Sequence, residues 1–236
     1  MKNKIVTLDQ AMEKIHDGAT IAIPGFVNCG VPQTLIQGII NKGYKDLNII
    51  SNNTSVKGKG IGMLVAADVI KHITCTHIGS NTETVEKAVK GEIDVTFVPQ
   101  GTFCERLRAG GAGIGGVLTP TGIGTLMEEG KQLLEWDAEK GEYKFVRSED
   151  PVCGKRFILE LPLRAEIAIV HAWKADKAGN LIYHRTAKNF NPIVATAADF
   201  VIVEAEEIVE VGELDPDAIM TPGILVDMIV QAEQEA

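Results

Sequence analysis

Several things are missing from this chain of 236 residues. No apolar run approaches the roughly 20 residues that cross a bilayer. The opening, MKNKIVTLDQAMEKIHDG, brings acidic residues too early for a signal peptide. A cytoplasmic protein with no membrane association is therefore expected. Cysteine is sparse: Cys29, Cys75, Cys104 and Cys153 stand far apart with no C-x-x-C, which argues against a disulfide framework and against structural zinc. The five histidines lack partners at ligand spacing, so no bound metal is expected. Basic residues are outnumbered, 23 against 32, for a net charge of −9. That balance excludes general nucleic-acid binding. An anionic ligand would have to be held by local donors, not by the field of the whole molecule. Neither a repeat nor a linker is visible, so residues 1–236 are expected to form a single domain.

What the chain does have is glycine in one place. Between Phe97 and Thr125, FVPQGTFCERLRAGGAGIGGVLTPTGIGT carries glycines at 110, 111, 113, 115, 116, 122 and 124. Glycine is the costliest residue to order, so such density needs a reason. A flexible linker would be polar and serine-rich, whereas Ile114, Val117, Leu118 and Ile123 interleave here. The stretch reads as a packed loop, one that lines a ligand in preference to a simple structural turn.

Around it, short apolar runs alternate with helical patterns. Thr7-Leu-Asp-Gln10 is a capping box, with Leu8, Ala11, Met12 and Ile15 at helical spacing and Gly18 as the stop. Thr20–Ile23, Leu47–Ile50, His72–His77 and Ile93–Val98 read as strands. Helices are expected from Pro32 to Gly43, over Glu83–Lys90 and over Thr102–Ala109. A polar stretch from Gln132 to Lys155 reads as a surface hairpin. Strands are then expected at Phe157–Leu161, Ile167–Ala172, Leu181–Tyr183 and Phe200–Ala205, with a short helix over Pro192–Ala198. The pattern predicts an α/β fold: an open, mostly parallel sheet with helices on both faces. Ligands bind beyond the carboxyl ends of such strands, and four strand ends here present glycine, asparagine or glutamine.

Pro24–Gly30 lies between a strand and a helix, where backbone N–H groups can hold an anion. It is not G-x-G-x-x-G, and a tight turn needs glycine anyway. Asn52 and Asn53 stand at a strand end, either as ligand donors or as Asx turns. Gln100 is the more unusual residue, since turn chemistry does not require a long amide there; a ligand or oxyanion role is expected. Arg106 and Arg108 read either as phosphate-facing or as ion-paired, Arg106 with Glu105 among the options. Lys57 and Lys59 read as solvated. Glu204, Glu206 and Glu207 show no basic partner in the sequence and read as solvated or structural.

Asp17-Gly-Ala-Thr-Ile-Ala-Ile-Pro-Gly-Phe-Val-Asn-Cys-Gly-Val-Pro32 resembles the α-subunit signature of the family I coenzyme A transferases. The likeness continues through Ser51-Asn-Asn53, Pro99-Gln-Gly-Thr102, Arg108-Ala-Gly-Gly-Ala-Gly113, Thr119-Pro-Thr121 and Lys188-Asn-Phe-Asn-Pro192. One departure is Pro24, where the family has glycine; proline removes an N–H that could touch an anion. The resemblance implies ping-pong transfer of coenzyme A between short-chain acids such as acetate, butyrate or acetoacetate. The nucleophilic glutamate would be on a β subunit, in an α2β2 or α4β4 assembly. It implies no permanently bound cofactor, coenzyme A entering as substrate. By the same resemblance Pro24, Gly25, Phe26, Val27, Asn28, Cys29 and Gly30 line the coenzyme A site, and Asn52 and Asn53 contact the pantetheine arm. Gln100 would sit beside the reacting carbonyl, and the loop of Gly110, Gly111 and Gly113 where the subunits meet. Alternatives are a subunit of a succinyl-CoA:3-oxoacid transferase, a phosphosugar isomerase or hydrolase, and a non-catalytic coenzyme A-binding module. The phosphosugar reading needs an acid or base at a strand end, and none stands clearly in those loops.

Overall fold

The computed structural model describes residues 3–233. Thr7 caps α1 (Leu8–Met12) through a reciprocal capping box with Gln10. The helix is only one turn long. Gly18 does not end it but lies in the following turn, at φ 78°. Then come β1 (Thr20–Ala22), α2 (Gln33–Lys42), β2 (Leu47–Ile50), α3 (Ile61–Ala66), β3 (Ile70–Cys75), α4 (Thr82–Val89), β4 (Asp94–Phe97) and α5 (Gln100–Ala112). The second half holds β5 (Val117–Thr119), β6 (Leu133–Asp137), β7 (Glu142–Val146), β8 (Lys155–Glu160), β9 (Ala165–Asp176) and β10 (Leu181–Ile182). It closes with α6 (Asn191–Val194), β11 (Ala198–Val209) and β12 (Met228–Gln231). Among the described residues no helix is long and apolar enough to cross a membrane.

The main sheet has the order β12-β11-β9-β1-β2-β3-β4, with every neighbouring pair on this path parallel. Side chains alternate between its faces. Ile21, Ile49, Ile167 and Ile169 join one apolar cluster, with α1, α2 and α3; Ala22, Ile50, Ala168 and Val170 join the other, with α5 and α6. The sequence-based α/β architecture is therefore present, with helices covering both faces. From β1 the chain walks outward to β4, then crosses to β9 on the far side of β1. That reversal leaves a crevice beyond the ends of β1 and β9, the place where open α/β sheets hold ligands.

Three expectations need correction. The expected hairpin exists as β6 and β7, but it is half of a four-stranded antiparallel sheet, β5-β8-β6-β7. Phe157–Leu161, assigned to the main sheet, supplies β8 of this second sheet instead. An apolar run of that length does not say which strands it will pair with. The glycine-rich stretch is not a loop throughout: α5 runs through Gly110 and Gly111 to Ala112, and Gly113 caps it at φ 68°. A Cβ on Gly110 would run into the Leu163 carbonyl oxygen, and one on Gly111 into the Thr196 side chain. Those glycines serve helix packing. The short α3 and β12 had no clear sequence signal.

Candidate functional site

The segment after β1 is shaped by a tight turn. The Phe26 and Cys29 backbones exchange N–H···O bonds, both 3.1 Å, so these two amides are already committed. Val27 between them takes φ 56°, a sterically costly conformation for a β-branched residue. Phe26 projects from the tip with nearly half its surface exposed. Gly25, at φ 127°, packs where a Cβ would meet Val31 Cγ2 at 2.5 Å.

Two asparagines from Lys188-Asn-Phe-Asn-Pro192 hold this turn in place. Asn189 Nδ2 donates to the Cys29 carbonyl at 3.0 Å. Asn191, fully buried at the start of α6, donates from Nδ2 to the carbonyls of Gly30 (2.8 Å) and Ala187 (3.0 Å). Its Oδ1 accepts the His171 N–H at 2.8 Å. A Cβ on Gly30 would stand 2.7 Å from that Nδ2, which is why glycine is needed there.

Beside the turn lies a cavity of about 760 Å³, lined by Asn28, Gly30, Gln33, Lys59, His171, Glu204 and Glu206 among others. β1 ends at Ala22, level with Ala168 on β9, so His171 lies beyond the end of β1. Its ring nitrogens each stand 3.0 Å from a carboxylate on β11, Nδ1 from Glu204 and Nε2 from Glu206. Burial pushes the His171 pKa down from its ordinary 6.5, but hydrogen bonds and charge from Glu204 and Glu206 outweigh it, and the net shift is upward. Glu204, 2% exposed, also accepts the Leu35 N–H at 3.1 Å in the first turn of α2. It satisfies a helix-start donor that no side-chain cap serves. The acids expected to be solvated or structural without a basic partner thus have one. Sequence spacing hid it, because His171 sits 33 residues upstream of Glu204, on the neighbouring strand. Lys174 pairs with Glu207 in the same way.

The polar strand ends of β2, β3 and β4 meet next door. Asn52 and Asn53 are each 1% exposed, within a buried run from Ser51 to Ser55. Asn53 Oδ1 accepts the Ser55 N–H at 2.7 Å, an Asx turn. Asn52 Oδ1 accepts from Gln100 Nε2 at 3.0 Å. Gln100 is exposed and is the first residue of α5, not part of a turn. Several buried polar atoms here have no partner among the described residues, including Ser51 Oγ, Asn52 Nδ2, Asn53 Nδ2, Thr54 Oγ1 and Thr102 Oγ1; by the cavity, Asn28 Oδ1 and Gln33 Oε1 share that state. Unpaired buried polar atoms are costly enough to mark a place where structure alone is not the whole account. The described residues contain no cluster of groups suited to a metal ion.

Gly110, Gly111 and Gly113 lie at the far end of α5 from Gln100. Arg106 takes the ion-paired reading, with Glu160 as the carboxylate in place of Glu105. It donates from Nε to the Leu161 carbonyl at 2.7 Å and stands 3.6 Å from Glu160, tying α5 to β8, while Arg108 pairs with Glu105.

The family model for Coenzyme A transferase matches residues 5–232. The chain is 44% identical over 234 residues to the alpha subunit of the acetate CoA-transferase of Escherichia coli K12, covering 99% of both chains. It is 42% identical to the acetoacetyl-CoA:acetate/butyrate CoA transferase alpha subunit of Clostridium acetobutylicum, over 98% of this chain and 99% of that one. It is 47% identical to the corresponding subunit, lettered A, of a probable succinyl-CoA:3-ketoacid coenzyme A transferase of Bacillus subtilis, over 94% and 86%. Among solved structures, an acyl-CoA transferase from E. coli O157:H7, in a thioester complex with CoA, superposes with a TM-score of 0.78 at 22% identity. It covers 98% of this chain, which spans half the length of that one. At that identity the superposition speaks for the fold.

Proposed function

The chain belongs to the coenzyme A transferase family, and from that premise we propose that it is the α subunit of a two-subunit acyl-CoA:carboxylate CoA-transferase. The observation that carries this reading is the end-to-end match to subunits named alpha or lettered A. Coenzyme A is a substrate in it and not a resident cofactor. The partner is a β subunit, in an α2β2 or α4β4 assembly, and the place of action is the cytoplasm.

In this reading a β-subunit carboxylate attacks the thioester carbonyl carbon of an acyl-CoA. The C–S bond breaks, leaving an acyl anhydride on the carboxylate and a free CoA thiolate. The thiolate then attacks the carboxylate-side carbonyl, releasing the acyl acid and leaving CoA on the enzyme as a thioester. A second acid reverses both steps. What this chain contributes is binding and electrostatics. The turn from Pro24 to Gly30 lines the coenzyme A path, with Gly25, Val27, Asn28 and Gly30 as the backbone donors left after the Phe26–Cys29 pairing. Asn28 Oδ1 and Gln33 Oε1, acceptors without partners among the described residues beside the cavity, suit the amide N–H groups of a pantetheine arm. Gln100 stands exposed at the strand ends, and its amide can donate to the carbonyl oxygen as that oxygen gains charge. A donor placed there stabilises the transition state more than the ground state.

The test is the co-expressed pair, assayed with acetate, butyrate, acetoacetate and succinate as acceptors. Transfer to at least one acid is expected, and the pattern selects between the acetate/butyrate and succinyl-CoA:3-ketoacid readings. Gln100→Ala in the pair should slow enzyme–CoA thioester formation by roughly ten- to a thousandfold. A pair that forms but transfers CoA to none of the four acids would sink the proposal.

A further inference from the structure

The route by which Gln100 is held reaches back two strands. Asn52 follows β2 and is 1% exposed, so its side chain is sealed beneath the surface. Its Oδ1 accepts from Gln100 Nε2 at 3.0 Å and lies 3.1 Å from Thr76 Oγ1, just past β3. Thr76 also grips the Asn52 backbone, with its N–H at 2.9 Å and its hydroxyl at 2.8 Å from the Asn52 carbonyl. On its other side Thr76 Oγ1 stands 3.1 Å from His77 Nδ1. A ring N–H donated from there leaves the single hydroxyl hydrogen to be shared between the Asn52 carbonyl, the nearer acceptor, and Oδ1. Three consecutive strand ends thus meet on one asparagine.

We propose that Thr76 and Asn52 form a positioning relay that sets which end of the Gln100 amide faces the reacting carbonyl. Donor and acceptor polarity decides the orientation. An amide oxygen can accept only from a donor, so Oδ1 of Asn52 requires Nε2 of Gln100 against it and excludes Oε1. The remaining Nε2 hydrogen of Gln100 is then presented outward from a known place. Without that anchor the terminal amide of an exposed glutamine rotates and offers oxygen as readily as nitrogen, and an oxygen aimed at a developing oxyanion repels it. Asn52 bears a cost for this arrangement: its own Nδ2 is buried with no partner among the described residues. That cost is understandable if the orientation of Oδ1 is what the position is for. Asn52 is a positioning residue here, not a contact of the pantetheine arm, and Thr76 is its support.

The inference rests on the transferase reading, and its test separates the two. Single-turnover thioester formation is measured in the co-expressed pair for Asn52→Ala, Thr76→Val, Gln100→Ala and the doubles. Asn52→Ala should slow the chemical step tenfold or more with KM for acyl-CoA little changed. In the Gln100→Ala background the same change should cost less than about twofold, because a relay without its terminus has nothing to orient. Thr76→Val should be slower than native, and Thr76→Ser, which keeps the hydroxyl, should restore the rate. Multiplying losses in the Asn52/Gln100 double, or a raised KM with an unchanged rate for Asn52→Ala, would make Asn52 a direct ligand contact and overturn the relay. A normal rate in Gln100→Ala would remove both the relay and the role of Gln100, while activity of the native pair would still support CoA transfer. A second readout needs no activity. In the full chain, the side-chain amide NMR signal of Gln100, identified by its loss in Gln100→Ala, should shift in both Asn52→Ala and Thr76→Val. No shift in either overturns the relay whether or not the pair turns over. Thr76→Val also serves if Asn52→Ala fails to fold.

Discussion

Asn191 is the residue on which the walls of the cavity converge. With one side chain it satisfies the His171 N–H on β9, the Gly30 carbonyl after β1 and the Ala187 carbonyl before α6. It is fully buried, and removing it leaves the part-buried His171 N–H and Gly30 carbonyl and the buried Ala187 carbonyl without that partner. Asn191→Ala should destabilise the chain by about 1–3 kcal/mol, the usual cost of leaving buried partners unpaired. Asn191→Asp keeps an acceptor for His171 but turns the donor facing Gly30 into a second acceptor. It should lose at least as much. Chemical denaturation of the three proteins measures both, and an Asn191→Ala variant as stable as native would show that the turn holds itself. This hub was hard to find in the sequence. Asparagine is a common turn residue, and the chain gives no hint that position 191 reaches positions 30 and 171. Gly30 reads in the sequence only as part of the turn by the coenzyme A site; the structure adds that its missing Cβ makes room for the Asn191 side chain.

Elements read well from sequence where their apolar period was local. β2 was located to the residue; β1, β3, β4 and the helices α2 and α4 were found with ends off by one or two positions. α3 was not, because Gly60 and Gly62 break its pattern. The structure uses Gly62 to bring the helix against the Val56 carbonyl, where a Cβ would not fit. The same logic governs the end of α5. Gly110→Ala should push the helix off Leu163 and cost about 1–3 kcal/mol, as overpacking does. Gly115→Ala, where a Cβ meets nothing within 4 Å, should stay within about 0.5 kcal/mol of native. Equal thermal midpoints for the two would refute the packing account of these glycines. The second sheet carries its own pH signature. Lys144 at 2.9 Å, the Cys153 and Gly154 N–H groups and Arg156 hold the Glu135 carboxyl down to about 2, against its ordinary 4.5 and against the opposing effect of burial. A carboxylate held low in the folded state stabilises it above the unfolded value and loses that contribution as pH falls toward the folded one. Native protein should therefore lose stability between about pH 4.5 and 2 more steeply than Glu135→Gln. Parallel acid-unfolding curves would remove Glu135 from the account.

At the scale of the whole molecule, the proposed reading makes the strand-end edge a binding surface without a nucleophile of its own. The location of that edge was legible early, since four strands ended in glycine or amide residues. Its chemistry was not, because the carboxylates that matter acquire their partners only across strands. Glu204 is occupied by His171 and by the start of α2, Glu206 by the other His171 nitrogen, and Glu207 by Lys174. A nucleophilic carboxylate must leave its partners to attack carbon, and a buried acid bound on both oxygens, as Glu204 is, is poorly placed to do so. This division of labour fits a chain that supplies the cradle while a second chain supplies the nucleophile. It makes a specific claim about where covalent chemistry occurs. When the co-expressed pair is incubated with acyl-CoA without an acceptor acid, intact-mass analysis should find the CoA adduct on the β partner and none on this chain. Glu204→Gln and Glu206→Gln, made separately in this chain, should leave that adduct on the partner, at a rate that reports only on how well the cradle is held. An adduct found on this chain, or abolished by either substitution with the pair still assembled, would move the nucleophile here and undo the assignment of roles.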